Sequence, residues 1–136
     1  PVLHLGFCGS MHDYSWPAVV AMARKAFEAG KPLLPLPDEA ASLPVVWSIR
    51  DASTVAEGID QGYTQLLGNW VPFHDAPPVD ALVGCAYSTV TEQVAGLAGY
   101  LHVPMISYIS KSADLSNKLE YPYFLRTSDV SSEFGQ

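Results

Sequence analysis

Serine and threonine residues follow the apolar runs of this 136-residue chain, at the places where predicted strands end. Their hydroxyl groups both donate and accept hydrogen bonds, and a helix that opens beside them adds unpaired N–H groups and a positive dipole end. This pattern predicts a binding site for a small anion. The candidate ligand-binding residues are Ser10, Ser53, Tyr87, Ser88, Thr89, Tyr108, Ser110 and Ser112. For Ser88 and Thr89 the alternative role is capping of the helix that follows.

Histidine and cysteine residues do not form a catalytic or metal-binding pattern. The pairs His12-Asp13 and His74-Asp75 resemble halves of such sites, but the chain has no HExxH or CxxC spacing. Cys8 and His12 lack a third member that would orient them as a nucleophile and base. Glycine patterns typical of dinucleotide or nucleoside-triphosphate binding are also absent from the sequence. We therefore predict no catalytic residue, no metal and no cofactor.

The elements that must position the hydroxyl groups alternate between strand and helix. Apolar runs predict strands over 2–7, 45–49, 81–83 and 105–108, and helical spacing predicts helices over 16–30, 54–68 and 90–101. This alternation predicts an α/β fold, a three-layer α/β/α doubly wound parallel sheet with strand order 2-1-3-4. The carboxyl ends of parallel strands share one edge, so the candidate residues should converge there.

Two cysteines follow the first and third predicted strands, which are neighbours in this order. Cys8 and Cys85 could therefore form a disulfide, or remain as two small buried thiols. The sequence leaves both alternatives open.

Composition restricts the class of partner. The net charge of −7 argues against nucleic-acid or anionic-membrane binding by charge attraction. Only 15% of the residues are charged, whereas about a quarter is usual in globular chains. This deficit of charged residues predicts that a partner covers part of the surface. Separately, no apolar run approaches the ~18 residues of a membrane span. We expect residues 1–136 to be one part of a longer polypeptide or of an oligomer.

Residues 79–136 resemble the first lobe of the receptor-type periplasmic-binding-protein fold. The resemblance rests on five motifs in one order, namely G-x(3)-S-[ST]-V from Gly84, Q-V-A, V-P-x-I-S-Y, S-x-D-L-S and Y-P-x-F-x-R-T. Proteins with this fold include the ectodomains of class C G-protein-coupled receptors and natriuretic-peptide receptors, and bacterial amino-acid-binding proteins.

The resemblance implies one lobe of a two-lobe Venus flytrap domain, with residues 1–136 as the N-terminal part of lobe 1. It further implies a non-enzymatic, extracellular sensor at the cell surface, as the ectodomain of a membrane protein. Its ligand would be amino-acid-like or another small anion, and its protein partners a second lobe or neighbouring subunits in an oligomer. A ligand-free structural or adhesion module with the same fold is the alternative.

Some residues depart from the pattern of the amino-acid receptors. The resemblance assigns ligand-carboxylate binding to Ser88 and Thr89, but Ile109 and Lys111 replace hydroxyl residues in the loop 107–114. An α-amino acid held in the usual way is therefore not expected. Lys111 would favour an acidic ligand, or is a solvated surface lysine. Ala52 stands where many relatives have a cysteine, so that family disulfide is absent, and Arg126 is expected to pair locally.

Overall fold

The computed structural model describes residues 2–9, 25, 44–72 and 74–130, and in them five strands form one parallel sheet. The strand order is β2-β1-β3-β4-β5, so the predicted α/β class and the order 2-1-3-4 are confirmed. The fifth strand lies within the segment 121–127, beside β4. The strands are β1 (Leu3–Gly9), β2 (Val45–Asp51), β3 (Ala81–Gly84), β4 (Met105–Ser107) and β5 (Phe124–Arg126).

Helix α1 (Val55–Leu67) follows Thr54, where the sequence predicts a helix start, and it begins with a capping box. The Thr54 hydroxyl accepts a hydrogen bond from the Glu57 N–H at 3.2 Å, and the Glu57 carboxylate accepts from the Thr54 N–H at 3.0 Å. This reciprocal pair satisfies N–H groups that a helix start leaves without partners. The helix ends at Gly68, whose φ of +55° is the left-handed backbone that glycine tolerates.

Helix α2 (Ser88–Tyr100) begins two residues earlier than predicted, with Tyr87 at the N-cap and no side-chain cap. The Tyr87 carbonyl accepts hydrogen bonds from the N–H groups of Val90 at 3.1 Å and Thr91 at 2.9 Å. The capping alternative for Ser88 and Thr89 is therefore wrong. Both residues lie inside the first helical turn, which leaves their hydroxyl groups for other contacts.

The two helices pack against each other through glycines. A side chain on Gly58 would lie 2.9 Å from Val90, and one on Gly62 would lie 2.6 Å from Val94. Two glycines four residues apart lie on one helix face, so the backbone of α1 is not covered by side chains there and α2 packs closely against it. The predicted helix over 16–30 lies outside the described residues, apart from Lys25, which is helical.

Apolar side chains from the sheet and from both helices form one core. Its largest fully buried members are Leu66, Leu82, Val90, Val94, Met105, Leu115 and Phe124. Burial of each such side chain stabilises the fold by about 1.5–3 kcal/mol relative to exposure. Strands β2 and β5 are the outermost strands of the described sheet. The carboxyl ends of the three strands between them lie along one end of the sheet.

We predict that alanine at Gly62 lowers the free energy of unfolding by about 1–2 kcal/mol, because its methyl group would overpack against the fully buried Val94. Gly96 in α2 is the matched control, since nothing lies within 4 Å of an added Cβ there. Gly96→Ala should raise the free energy of unfolding by about 0.5–1 kcal/mol through helix propensity alone. Urea denaturation measures both variants, and equal effects would contradict the close helix contact.

Candidate ligand-binding site

The order in which strands are added reverses between β1 and β3, because β2 lies on one side of β1 whereas β3, β4 and β5 follow on the other. A doubly wound sheet opens a crevice at such a reversal. At that point Cys8 of β1 lies in register with Gly84 of β3. Gly84 has φ of +126°, and a side chain on it would overlap the Cys8 carbonyl group. Glycine is thus required for the close approach of the two strand ends.

One carbonyl group collects hydroxyl groups from three elements at this edge. The Cys85 oxygen accepts hydrogen bonds from Thr91 Oγ1 at 3.2 Å, from Ser107 Oγ at 2.9 Å and from Ser110 Oγ at 3.0 Å. The Thr91 and Ser110 oxygens also lie 2.6 Å apart. All three side chains are buried, so this hydroxyl cluster joins the end of β3 to the first turn of α2 and to the end of β4.

The loop after β4 is folded back by the same cluster. Ser107 Oγ accepts from the Ser110 N–H at 3.1 Å and from the Ile109 N–H at 3.4 Å. The Ser128 hydroxyl donates to the Ser110 carbonyl at 3.0 Å. The Ser110 hydroxyl is therefore engaged within the protein, and what this loop presents outward is Ile109 and Lys111, both exposed.

Ser88 connects the loop after β3 to the loop after β4. Its hydroxyl oxygen accepts from the N–H groups of Lys111 and Ser112, each at 3.2 Å. Arg126 holds the same loop from the other side, because its guanidinium donates to the Ser112 carbonyl at 2.7 Å and to Ser116 Oγ. The expected local pairing of Arg126 is confirmed.

Tyr108 covers the end of β1. Its ring stacks on Phe7 with centroids 6.1 Å apart and planes at 6°, and its hydroxyl group lies over Gly9, where a Cβ would clash with it. Burial raises the pKa of Tyr108 to about 12, because the charged phenolate is poorly solvated there. The phenol is neutral at physiological pH, as at its usual pKa, and burial extends this to more alkaline pH.

The eight candidate residues fall into three groups. Ser88, Tyr108, Ser110 and Ser112 lie together where β3 and β4 end. Tyr87 and Thr89 are exposed at the start of α2, and Ser53 is exposed at the start of α1, where its N–H donates to Glu57 at 3.0 Å. Ser10 lies outside the described residues.

Sequence reasoning missed Thr91 and Ser107, which complete the hydroxyl cluster. Thr91 lies one helical turn after Ser88, and Ser107 is the last residue of β4 within the motif V-P-x-I-S-Y. The position of Ser107 could have predicted its role, because a hydroxyl at the carboxyl end of a buried strand reaches the ligand edge. Thr91 lies within the predicted helix 90–101 and Ser107 within the predicted strand 105–108, so the helical or apolar pattern alone does not mark either as a site residue.

The two cysteines meet inside this edge as free, buried thiols. Cys85 Sγ donates to Cys8 Sγ at 3.1 Å, and Cys8 Sγ donates to the Gly58 carbonyl of α1 at 3.4 Å. The hydrogen bond with Cys8 and burial both raise the pKa of Cys85 far above its usual value, so its thiol is protonated.

Neither a metal centre nor a membrane span is found in the part of the chain that the structure describes. Within it, no three His, Cys, Asp or Glu side chains are grouped so that they could hold a metal ion. Over the same ranges, no helix has the length and apolar character needed to cross a bilayer.

Comparison with known proteins identifies the class. The profile described as "Receptor family ligand binding region" matches residues 39–133, and the chain belongs to this family. Relatives include the human extracellular calcium-sensing receptor, 45% identical over 51 residues, and the bovine G-protein coupled receptor family C group 6 member A, 38% identical over 60 residues. These segments cover 38% and 44% of this chain but only 5% and 6% of the receptors.

A solved structure shows the same fold. It is the solute-binding protein of an ABC transporter from R. palustris in complex with 4-hydroxybenzoate, at a TM-score of 0.68 and 17% identity. The match covers 96% of this chain and 32% of that protein, so this chain has the fold of a periplasmic-binding-protein lobe.

We predict that Ser107→Ala lowers the free energy of unfolding by about 1–3 kcal/mol, because it removes the acceptor of the buried Ser110 N–H and a donor to the Cys85 carbonyl. Ser53→Ala is the control. Ser53 is exposed, so its loss should change stability by no more than about 0.5 kcal/mol. Guanidinium denaturation distinguishes the two, and a neutral Ser107→Ala would show that the cluster does not stabilise the loop.

Proposed function

We propose that this chain is the ligand-binding lobe of a non-enzymatic, extracellular receptor and that its ligand is a small organic anion. The ligand would bind at the carboxyl edge of the sheet, beside the loops after β3 and β4. The observation that carries the proposal is the pair of hydrogen bonds from Lys111 and Ser112 to Ser88, which unites these two loops into one surface. Membership of the receptor ligand-binding family supports the same role.

The chemistry of this surface favours a carboxylate. The start of α2 directs N–H groups and the positive end of the helix dipole at the edge, and the exposed Thr89 adds a hydroxyl donor. Lys111 adds a positively charged residue on the adjoining loop, where it is exposed. The 4-hydroxybenzoate in complex with the solute-binding protein of similar fold is also a carboxylate.

An α-amino acid fits this surface less well. Ile109 is 40% exposed, and Lys111 is also exposed, on the loop where the amino-acid receptors resembled by this chain have hydroxyl residues. A cation beside the ligand's ammonium group repels it, and an apolar side chain cannot accept its hydrogen bonds. An anion without an ammonium group avoids both penalties.

The larger assembly is also part of the proposal. We propose that residues 1–136 belong to lobe 1 of a two-lobe domain anchored at a membrane, which closes over the ligand in an oligomeric receptor. The short segments matched in the two receptors support this, because they belong to much longer chains. A ligand-free assembly module is the second candidate, favoured by the apolar side chains of Tyr100 and Leu119, which are 82% and 98% exposed.

Calorimetric titration of the full chain should show binding of 4-hydroxybenzoate and at least tenfold weaker binding of its neutral methyl ester, since a charge-assisted hydrogen bond contributes about 1.5–3 kcal/mol. Glutamate should bind more weakly than 4-hydroxybenzoate. Thr89→Ala and Lys111→Gln should each raise the Kd of 4-hydroxybenzoate about tenfold.

Lys118→Gln is the matched control for charge. It removes one positive charge from a lysine that contacts Phe124 rather than the two loops, and it should leave the Kd unchanged. Equal binding of acid and ester would contradict the anion site. Absence of binding by every carboxylate to a folded chain would favour the assembly module.

A further inference from the structure

We infer that Cys8 and Cys85 are the site of a disulfide that links β1 to β3 directly beneath the ligand edge. The inference rests on the contact between the two thiols and on the extracellular location proposed above. No other cysteine occurs in the sequence, so neither of the two has a competing partner within residues 1–136.

The backbone brings the two sulfur atoms into reach before any bond forms. Their separation of 3.1 Å exceeds a disulfide bond of ~2.05 Å by about 1 Å. Cys8 lies opposite Gly84 in the register, so Cys85 follows the paired residue immediately. The pair lies at the reversal of strand order, where β1 and β3 are hydrogen-bonded neighbours.

The bond would form while the chain folds rather than afterwards. Cys8 and Cys85 are 0% and 2% exposed, and the thiolate that must attack is disfavoured once the pair is buried. In the open chain, the thiolate of one cysteine attacks a small disulfide such as oxidised glutathione and releases one glutathione thiolate. The thiolate of the second cysteine then attacks the first cysteine's sulfur and releases the other. The protein loses two hydrogens, and the glutathione disulfide is reduced to two thiols.

The consequence is a fixed platform for the hydroxyl cluster. Cys85 contributes its carbonyl oxygen to Thr91, Ser107 and Ser110, while its side chain would be bonded to β1. The loops after β3 and β4, which would contact the ligand, would then be held by a covalent link to β1 at the centre of the sheet. The link closes a loop between residues 77 apart, which constrains the unfolded chain strongly.

Mass spectrometry tests the bond directly. The full chain is secreted through an oxidising compartment, alkylated in denaturant without reductant, and digested with trypsin. The fragment ending at Arg24, which contains Cys8, should be joined to fragment 51–111, which contains Cys85, with a mass two hydrogens below the sum. Recovery of both cysteines alkylated, or each bound to glutathione, both after secretion and after refolding in a glutathione redox buffer, would overturn the inference.

Thermal melting supplies a second measurement. The oxidised chain should melt roughly 5–15 °C above the reduced chain, as a disulfide of this loop length predicts. The variant Cys8→Ser/Cys85→Ser should melt like the reduced chain and should not respond to reductant. An unchanged Tm on reduction would contradict the link.

Refolding in a glutathione redox buffer separates this inference from the proposed location. Joined fragments after refolding but not after secretion would support the disulfide and contradict the extracellular location. Joined fragments in a secreted chain that binds no carboxylate would support the disulfide and contradict the proposed ligand.

Discussion

The carbonyl oxygen of Cys85 is the point on which the carboxyl edge of this sheet depends. A buried carbonyl group needs a hydrogen-bond partner, and hydroxyl groups from the first turn of α2 and from residues 107–110 converge on this one. Because each donor also contacts a second group, the end of β3, the first turn of α2 and the loop after β4 cannot move independently. The strand order brings these elements to the same end of the sheet, and the hydrogen bonds to this oxygen fix their relative positions.

That constraint divides the hydroxyl groups of the edge into two kinds. The first kind is buried and hydrogen-bonded within the protein, as in Thr91, Ser107 and Ser110. The second kind is exposed to solvent, as in Thr89. Rigid support beneath exposed donors is what ordered recognition of a small ligand requires, because flexible donors lose entropy on binding. Ser88 stands between the two kinds, since its oxygen is occupied by backbone N–H groups while its side chain remains partly exposed.

The sequence predicted the sheet better than it predicted the site. Alternating apolar runs and helical spacing specify strand order by general rules, and Thr54 with Glu57 specifies the start of α1 locally. The start of α2 was misplaced because Tyr87 caps it through its carbonyl group alone, and no residue type encodes that. Buried Ser110 contacts a hydroxyl 19 residues away in the sequence, and this contact follows only from the tertiary fold.

The register of β1 has a consequence for the order in which the molecule is made. β1 lies inside the sheet, yet Leu3 pairs with Val45 and Leu5 pairs with Ala81. During synthesis β1 therefore emerges before either of its neighbours. Its apolar residues remain without their native contacts until β2 and β3 have been made. Such non-local pairing slows folding and leaves a nascent chain exposed to misassembly. In this topology β1 is stabilised on both sides only after β2 and β3 have also been made.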